Sequence, residues 1–506
     1  MMTDIVIKKQ LDIFKNFIRD ARLNKAEYQE RAMEWCLDRE HSTDIRGGII
    51  GDEMGLGKTI VSLGLIVSNL KQRTLVVLPT ALMPQWKSKI ESILGIEPLV
   101  YYGNSRSKIA DDAKDSFIVL TTYGVISRIT TKYGKIKKED TILHNIEWDR
   151  IIFDESHHLR NSNHRHDCSL HLKSDIKWCL TGTPIQNRKR DIHMLFHIVG
   201  FEYKYIKQHI QELIDTVLLR RKMQDVGLSL PPINSKTIIV DWSFEEKIIR
   251  DLLNNNIDSG VCKIDDEPIG TIYKSSDISY YSNLISNICG DPQNRLTIYL
   301  RARQLCISPV LFRKKIEELI CVGELDSTYR RLYSCSSKLY TVSNTIVENK
   351  MNSNRKIVFC HFIEEINQLY EMIVDNDDMD KYDDTQVAIY SGSLSLEERQ
   401  EILENDSIEV LIMQIQTGCE GLNLQQYSDI YMVSPHWNPA LEDQAVARCH
   451  RQGQLKETNV YRFIMKGSAN LDGYIRDTQY EKRKNMEIVE PLFEQELITQ
   501  FNSLSI

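Results

Sequence analysis

The chain has no run of apolar residues near the roughly twenty that a bilayer-spanning helix needs. Its first thirty residues carry charges throughout and hold no apolar signal core, which argues against secretion. There are 11 cysteines, yet no two stand as a C-x-x-C pair. That absence argues against a zinc ribbon or RING insertion, and a chain of 506 residues has little need of a disulfide framework. Reduced, buried thiols in an intracellular compartment are the remaining reading. Excess positive charge is also missing, since the formal net charge is −8. Any contact with nucleic acid must therefore come from a local basic surface and not from global charge. What is present, 42% hydrophobic and 26% charged residues, describes an ordinary globular protein of several domains.

Against this background stands a glycine-rich turn. Gly48-Ile49-Ile50 reads as a short buried strand, and Thr59 to Val67 carries a helical apolar pattern. Between them runs Gly51-Asp52-Glu53-Met54-Gly55-Leu56-Gly57-Lys58-Thr59. Strand, glycine loop and helix form the setting in which backbone N–H groups cradle the phosphates of a nucleoside triphosphate. Gly55 and Gly57 let those groups turn inward, and the helix start adds its positive dipole end. Lys58 is expected to reach the β- and γ-phosphates, and the Thr59 hydroxyl to hold Mg2+. The strict pattern has a glycine where this chain has Asp52.

Strand-like runs follow at Thr74–Leu78, Phe117–Thr121, Arg150–Phe153 and Trp178–Thr181, with helical or polar segments between them. Such alternation predicts a parallel sheet covered on both faces. Pro231-Pro232 breaks the pattern, and Phe244 to Leu319 reads as mainly helical. A second alternation begins at Lys356–Cys360 and continues through Val387–Tyr390, Glu409–Ile412 and Ile430–Val433. The expected class is α/β, with two parallel-sheet lobes at 1–235 and 336–506 and a helical connector at 236–335. The acidic stretch Asp375–Asp384 reads as a solvated loop.

Asp154-Glu155-Ser156-His157 follows directly on the Arg150–Phe153 strand. An acidic pair at the carboxyl end of a buried strand can handle a metal and an attacking water. Asp154 is assigned to Mg2+ and Glu155 to the nucleophilic water. In the second lobe, Gln444 to Gln454 reads as a helix on which Arg448 and Arg451, three apart, share a face. Two guanidinium groups on one face suit the charge of a transferring γ-phosphoryl group. Arg188-Lys189-Arg190, Arg220-Arg221-Lys222 and Lys482-Arg483-Lys484 are candidates for lining a nucleic-acid path. His157, His158, His164, His166 and Cys168 cluster, but their spacing matches no standard zinc pattern and reads as loop decoration after one motif histidine.

In their order these segments resemble the SWI/SNF-related ATPases, the chromatin-remodeller branch of the two-lobed helicase superfamily. The resemblance runs from about residue 25 to about residue 480. It is carried by Glu27-Tyr28-Gln29, the 51–59 loop, Val77-Leu78-Pro79-Thr80 with Pro84-Gln85-Trp86, Leu120-Thr121-Thr122-Tyr123, and Asp154–Leu159 with Asn161. Thr181-Gly182-Thr183-Pro184-Ile185-Gln186-Asn187, Leu219-Arg220-Arg221 with Leu230-Pro231-Pro232, and Leu300-Arg301 with Gln304-Leu305-Cys306 extend it. Tyr390-Ser391-Gly392-Ser393, Gly421-Leu422-Asn423-Leu424, Trp437-Asn438-Pro439 and the 444–454 segment complete it. The resemblance implies two RecA-like lobes using ATP and Mg2+ in the cleft between them, and movement on double-stranded DNA tracked by its phosphates. It implies adenine reading by Gln29 and nucleotide binding by Asp52, Glu53, Met54, Gly55, Leu56, Gly57, Lys58 and Thr59. Catalysis would fall to Lys58, Asp154, Glu155 and Gln444, with Arg448 and Arg451 as arginine fingers. Ser156, His157, Thr181, Gly182, Thr183 and Gly421 would couple the motor, and Thr121, Arg220, Arg221, Ser391 and Trp437 would meet nucleic acid.

Asp52 is normal for this branch, whereas Val61 stands where many members have glutamine, and Gly418-Cys419-Glu420-Gly421 replaces a pair of adjacent glycines. Without a RING module, bromodomain or chromodomain the chain resembles a bare motor. Its low glycine content and many isoleucines and asparagines suit an AT-rich genome such as that of a large DNA virus. Nucleosomes or transcription machinery are the partners such a motor would meet, in a nucleus or a viral factory. An RNA helicase and an ATP-switched transcription or termination subunit stay open as other readings. Thr181–Asn187 and Trp437-Asn438-Pro439 weigh against the former, and intact Lys58, Glu155 and Arg451 against an inert scaffold.

Overall fold

The computed structural model describes residues 2–23, 26–127, 142–160, 164–184, 190–255, 274–290, 295–334, 336–375, 381–419, 422–467 and 470–489. The chain divides into two compact units, one built mainly from residues up to Ser229 and the other mainly from Leu230–Cys419 and Asn423–Lys484.

In the first unit the strands are β1 (Arg46–Ile50), β2 (Thr74–Leu78), β3 (Leu99–Val100), β4 (Ile118–Thr122), β5 (Glu147–Trp148), β6 (Arg150–Phe153), β7 (Lys173–Ser174), β8 (Ile176–Leu180) and β9 (Leu218–Leu219). All but β5 and β7 form one parallel sheet in the order β3-β4-β2-β6-β8-β1-β9. Side chains alternate across a strand, so a strand buried on both faces must be apolar throughout. Leu75 and Val77 accordingly join Val119, Ile151 and Phe153 in one core, while Val76 and Leu78 join Leu120 and Ile152 in the opposite one. Helices α1 (Met2–Asp20), α2 (Glu27–His41) and α3 (Lys58–Ser68) supply the second core. Helix α4 (Met83–Lys89) adds Trp86 to that core, and α5 (Arg190–Val199) covers the other face.

A buried ion pair fastens α2 to this sheet. Glu40 and Arg150 are both 0% exposed, and the guanidinium donates through Nε and Nη2 to the two carboxylate oxygens at 2.6 Å each. Trp178 Nε1 and Asn69 Nδ2 donate to the same carboxylate at 2.9 and 2.6 Å. The carboxylate thus replaces its lost water by four donors. Helix α2 is fixed at its end, and its first turn presents Gln29 to the glycine loop.

The second unit carries β10 (Ile233–Val240), β11 (Arg355–Cys360), β12 (Val387–Tyr390), β13 (Val410–Gln414), β14 (Tyr427–Met432) and β15 (Thr458–Met465), parallel in the order β10-β15-β14-β11-β13-β12. Its helices include α6 (Phe244–Asn255), α7 (Ser275–Cys289), α8 (Arg295–Ile307), α9 (Arg313–Cys321), α10 (Ser337–Glu348), α11 (Ile363–Ile373), α12 (Leu396–Glu404), α13 (Pro439–Cys449) and α14 (Leu471–Val489). Each unit is a RecA-like lobe of parallel strands flanked by helices. The helical segment does not stand apart from the second sheet. Ile248, Phe312 and Ile316 share one hydrophobic core with Val358, Ile412 and Phe463.

One expectation needs correction. The described part of Asp375–Asp384 is not simply a solvated loop. Tyr382 is fully buried, with the Lys350 ammonium 5.2 Å from its ring centre, and Tyr382 forms a bridge with Val374. An aromatic ring inside an acidic run carries its own reason to be buried. The polar stretch near Cys262–Pro268 lies outside the described residues. No described helix is long and apolar enough to cross a membrane.

Candidate nucleotide site and arginine helix

In the first unit β8 lies between β1 and β6, so the glycine loop and the acidic pair emerge from the same edge of the sheet one strand apart. With strands about 4.8 Å apart, the two emerge about 10 Å from each other. The loop is held by contacts within the protein. Gly51 N donates to Leu219 O at 2.7 Å, and Glu53 N to Arg221 O at 2.9 Å. Asp52, 1% exposed, accepts from the backbone N–H and Nε of Arg221 at 3.1 and 3.0 Å and pairs with its Nη2. The same guanidinium reaches the Tyr28 carbonyl. Asp52 is therefore a fastening point, which explains an aspartate where the generic pattern has glycine. Glu53, exposed, accepts from Met223 N at 2.6 Å.

Gly57 has φ +82° and precedes the first residue of α3. A Cβ built on it would lie 2.4 Å from Gln29 Nε2, so this position combines a left-handed backbone with a close neighbour. Gln29 Nε2 donates to Leu56 O at 3.4 Å, which puts the residue expected to read adenine against the loop. Lys58 Nζ turns back on the loop and donates to Asp52 O at 2.7 Å and Glu53 O at 3.3 Å. Thr59 follows in the first turn of α3, and Gly55 has φ +96°. Met54 packs on Gly182, whose added Cβ would meet Met54 Cγ at 2.6 Å. That contact brings Thr181-Gly182-Thr183 to the loop. Thr181 N donates to Ile50 O at 3.1 Å, and the Thr181 hydroxyl accepts from Thr183 N at 3.1 Å.

Asp154 and Glu155 are 7% and 6% exposed. Burial, and then the charge of Glu155, pushes the Asp154 carboxyl up to about 6. Asp154 N donates to Val77 O at 2.8 Å, and the Tyr123 hydroxyl donates to Asp154 O at 2.7 Å. Glu155 has φ 49° and ψ 48°, a left-handed conformation that costs a non-glycine residue on the order of 1 kcal/mol and that clusters at functional sites. His157 Nδ1 lies 3.2 Å from Glu155 Oε2, and Ser156 is buried beside it. Two adjacent buried carboxylates near a hydroxyl residue are hard oxygen donors in a dry site, the charge pattern that a divalent cation relieves. The chemistry of Asp154 thus fits the Mg2+ expected of it.

In the second unit, Trp437-Asn438-Pro439 builds the start of α13. Asn438 is the N-cap, its side chain accepting from Ala440 N at 3.3 Å, and Pro439 takes the first helical position. Glu442, buried in the first turn, accepts from His436 N at 2.7 Å and from Gln479 Nε2 at 2.6 Å, which ties α13 to α14. Gln444 and Arg448 lie on α13 and are buried. Arg451 does not lie on the helix, contrary to expectation. The helix stops at Cys449, where Gln454 Nε2 donates to the Cys449 carbonyl at 3.3 Å and Gly453 turns with φ +101°. Burial, and then the charge of Arg448, lowers the Arg451 guanidinium, which places two like charges within electrostatic reach.

The nucleic-acid candidates separate. Thr121 is 0% exposed and donates to Tyr101 O at 3.0 Å, so its side chain is structural. Arg221 is engaged by Asp52 and Tyr28, as above. Arg220 is half-buried. Ser391 is half-buried with its hydroxyl 2.7 Å from that of Ser393, and Trp437 is half-buried edge-on to Tyr474. Gly421 lies outside the described residues, as do Asn161, Ile185-Gln186-Asn187 and Arg188-Lys189. Among the described residues no three metal-binding side chains gather, although Cys168 Sγ lies 3.6 Å from His164 Nε2. Tyr123 and the Arg221 clamp are site contacts that the sequence reading did not assign. Their only signal was membership of the matching segments Leu120–Tyr123 and Leu219–Arg221.

Residues 28–311 match the family model of the SNF2-related domain, and residues 337–453 match that of the helicase conserved C-terminal domain. A probable global transactivator of Orgyia pseudotsugata multicapsid polyhedrosis virus is 26% identical over 493 residues, covering 91% of this chain and 90% of that protein. The DNA repair protein RAD5A of Arabidopsis thaliana is 23% identical over 589 residues, covering 84% of this chain and 56% of that one. The chain thus spans nearly the whole viral relative but little over half of the plant one. Among solved structures, the Sulfolobus solfataricus SWI2/SNF2 ATPase core in complex with dsDNA is 21% identical with a TM-score of 0.39, covering 88% of each chain.

Proposed function

The chain belongs to the SNF2-related family of helicase-like ATPases, and from that premise we propose that it couples ATP hydrolysis to movement on double-stranded DNA and thereby remodels protein–DNA complexes. The observation that carries the reading is the shared sheet edge, where the glycine loop and a buried acidic pair lie one strand apart. Residues 1–235 would bind the nucleotide, 236–335 form the connector and 336–506 provide the arginines. Lys58 and the loop N–H groups would take the phosphates, and Gln29 the base. Thr59 and Asp154 would hold Mg2+, which when bound neutralises phosphate charge. Glu155 would accept a proton from the attacking water and orient it, with His157 holding its carboxylate. Arg448 and Arg451 would stabilise charge on the transferring phosphoryl group, with Gln444 beside them, a role worth about 10³–10⁵ in rate where arginine fingers act.

Thr181, Gly182, Thr183 and Ser156 would report the state of the nucleotide to the DNA-bound surface, and Arg220, Ser391 and Trp437 are the proposed contacts to DNA. The near end-to-end match to a viral protein named as a transactivator favours a setting in transcription, inside the cell and at DNA. The test is ATP hydrolysis by the purified chain with duplex DNA, single-stranded DNA or RNA at fixed salt. Duplex DNA should stimulate most. Stimulation by RNA alone would make the chain an RNA helicase, and indifference to all three would make ATP a switch.

A further inference from the structure

Trp86 sits in α4, which follows β2, and its ring is buried in the core formed with Leu78, Leu120 and Ile152. Its indole Nε1 donates to Asp154 Oδ2 at 2.7 Å, across 68 positions of sequence. Other tryptophans divide: Trp148 donates to Leu143 O at 2.8 Å and Trp242 to Lys466 O at 2.8 Å, whereas Trp178 donates to the buried Glu40 carboxylate at 2.9 Å. Trp86, like Trp178, makes a charge-assisted bond to a buried carboxylate, and its partner is the carboxylate read above as the metal holder.

The backbone of Asp154 is set by Val77 O and the Tyr123 hydroxyl, neither of which touches its carboxylate. Among the described residues, carboxylate Oδ1 accepts from the adjacent Glu155 N at 2.9 Å, a bond that moves with the residue itself. Among the described residues, Trp86 is therefore the side chain that fixes the rotation of the Asp154 carboxylate from outside. It leaves lone pairs on both oxygens for a further partner.

We infer that Trp86 is a positioning residue for divalent-cation binding, holding the Asp154 carboxylate in the orientation in which it can accept Mg2+ or a Mg2+-bound water. This rests on the reading of Asp154 as the metal-holding carboxylate. Groups that orient a metal's ligand typically change metal affinity by about 10–100-fold when lost.

The test uses the full chain and the fluorescence of mant-ADP, titrated in Mg2+ and in EDTA. Wild type should bind more tightly in Mg2+. Trp86→Phe should keep its EDTA affinity within about twofold and lose about tenfold of the gain from Mg2+. Because that variant alters packing, the second arm places 3-benzothienylalanine at position 86, which keeps the fused ring and replaces N–H by sulfur. The same loss with this isostere supports the inference. An isostere with the full Mg2+ gain overturns it, because packing alone would then suffice. Asp154→Asn separates the two levels of the argument. If that variant keeps the full Mg2+ gain, the metal assignment of Asp154 falls and the role of Trp86 falls with it. If it loses the gain while the isostere keeps it, the role of Trp86 alone falls.

Discussion

Asp154 carries its charge in a place that disfavours it, and this has a measurable consequence at the scale of one residue. Its folded-state value of about 6 lies above the ordinary 3.8. The folded protein therefore holds that proton more tightly than the unfolded one. The associated stability is present below about pH 3.8 and is lost as pH rises through about 6. Asparagine cannot ionise. In denaturation without nucleotide or metal, the stability of Asp154→Asn relative to wild type should rise by about 1 kcal/mol between pH 5 and pH 7.5. A difference that stays flat with pH would mean Asp154 is not a strained carboxylate. Single residues were legible in the sequence where their chemistry is local. Asp154 and Glu155 follow directly on the end of β6, and Gly57 and Lys58 stand where the glycine loop enters α3. Arg221, read as a nucleic-acid candidate, also carries a bond to Asp52 that the sequence did not show, because the two stand 169 positions apart and no local pattern encodes that distance.

Helix α2 works as an element only because both of its ends are used. Glu40 fastens one end to the sheet through Arg150, and Gln29 at the other meets the loop beside Gly57. Removing one partner of a buried ion pair leaves the other charge uncompensated. Glu40→Ala should therefore destabilise the first unit by about 3–5 kcal/mol. The check is urea denaturation followed by tryptophan fluorescence, with Trp178 as a local probe. A loss below about 1 kcal/mol would show that water or another carboxylate replaces Glu40. Helix α13 shows where reading an element from sequence fails. Its start was encoded by Asn438-Pro439, but its end depends on Gln454 reaching back to Cys449. Arg451 was expected on the helix from its spacing of three from Arg448, and spacing alone does not show where a helix ends.

At the scale of the molecule, alternating strands and helices announced two parallel-sheet units, because buried strands must be apolar whatever their neighbours. The sharing of one core by Ile248, Phe312 and Phe463 was not legible, since a helix pattern states that a face is buried and not against what. Lys58 and Arg451 belong to different units, so a variant in the second asks whether both serve one reaction. Arg451→Ala should keep ATP affinity within a few fold of wild type and lose hydrolysis by about 10³ or more. Equilibrium nucleotide binding and steady-state phosphate release measure the two, and an unchanged rate would exclude the arginine-finger role.

The salt bridge from Arg221 to Asp52 also bears on how this protein can be dissected. A fragment ending after Val199 would encode the whole glycine loop, both acidic residues and Thr181-Gly182-Thr183. It would still lack β9, the edge neighbour of β1, and the guanidinium that fastens the loop at its opening. The minimal piece able to hold a nucleotide is thus longer than its motifs suggest, and its cloning boundary is set by a clamp far downstream of the loop it secures.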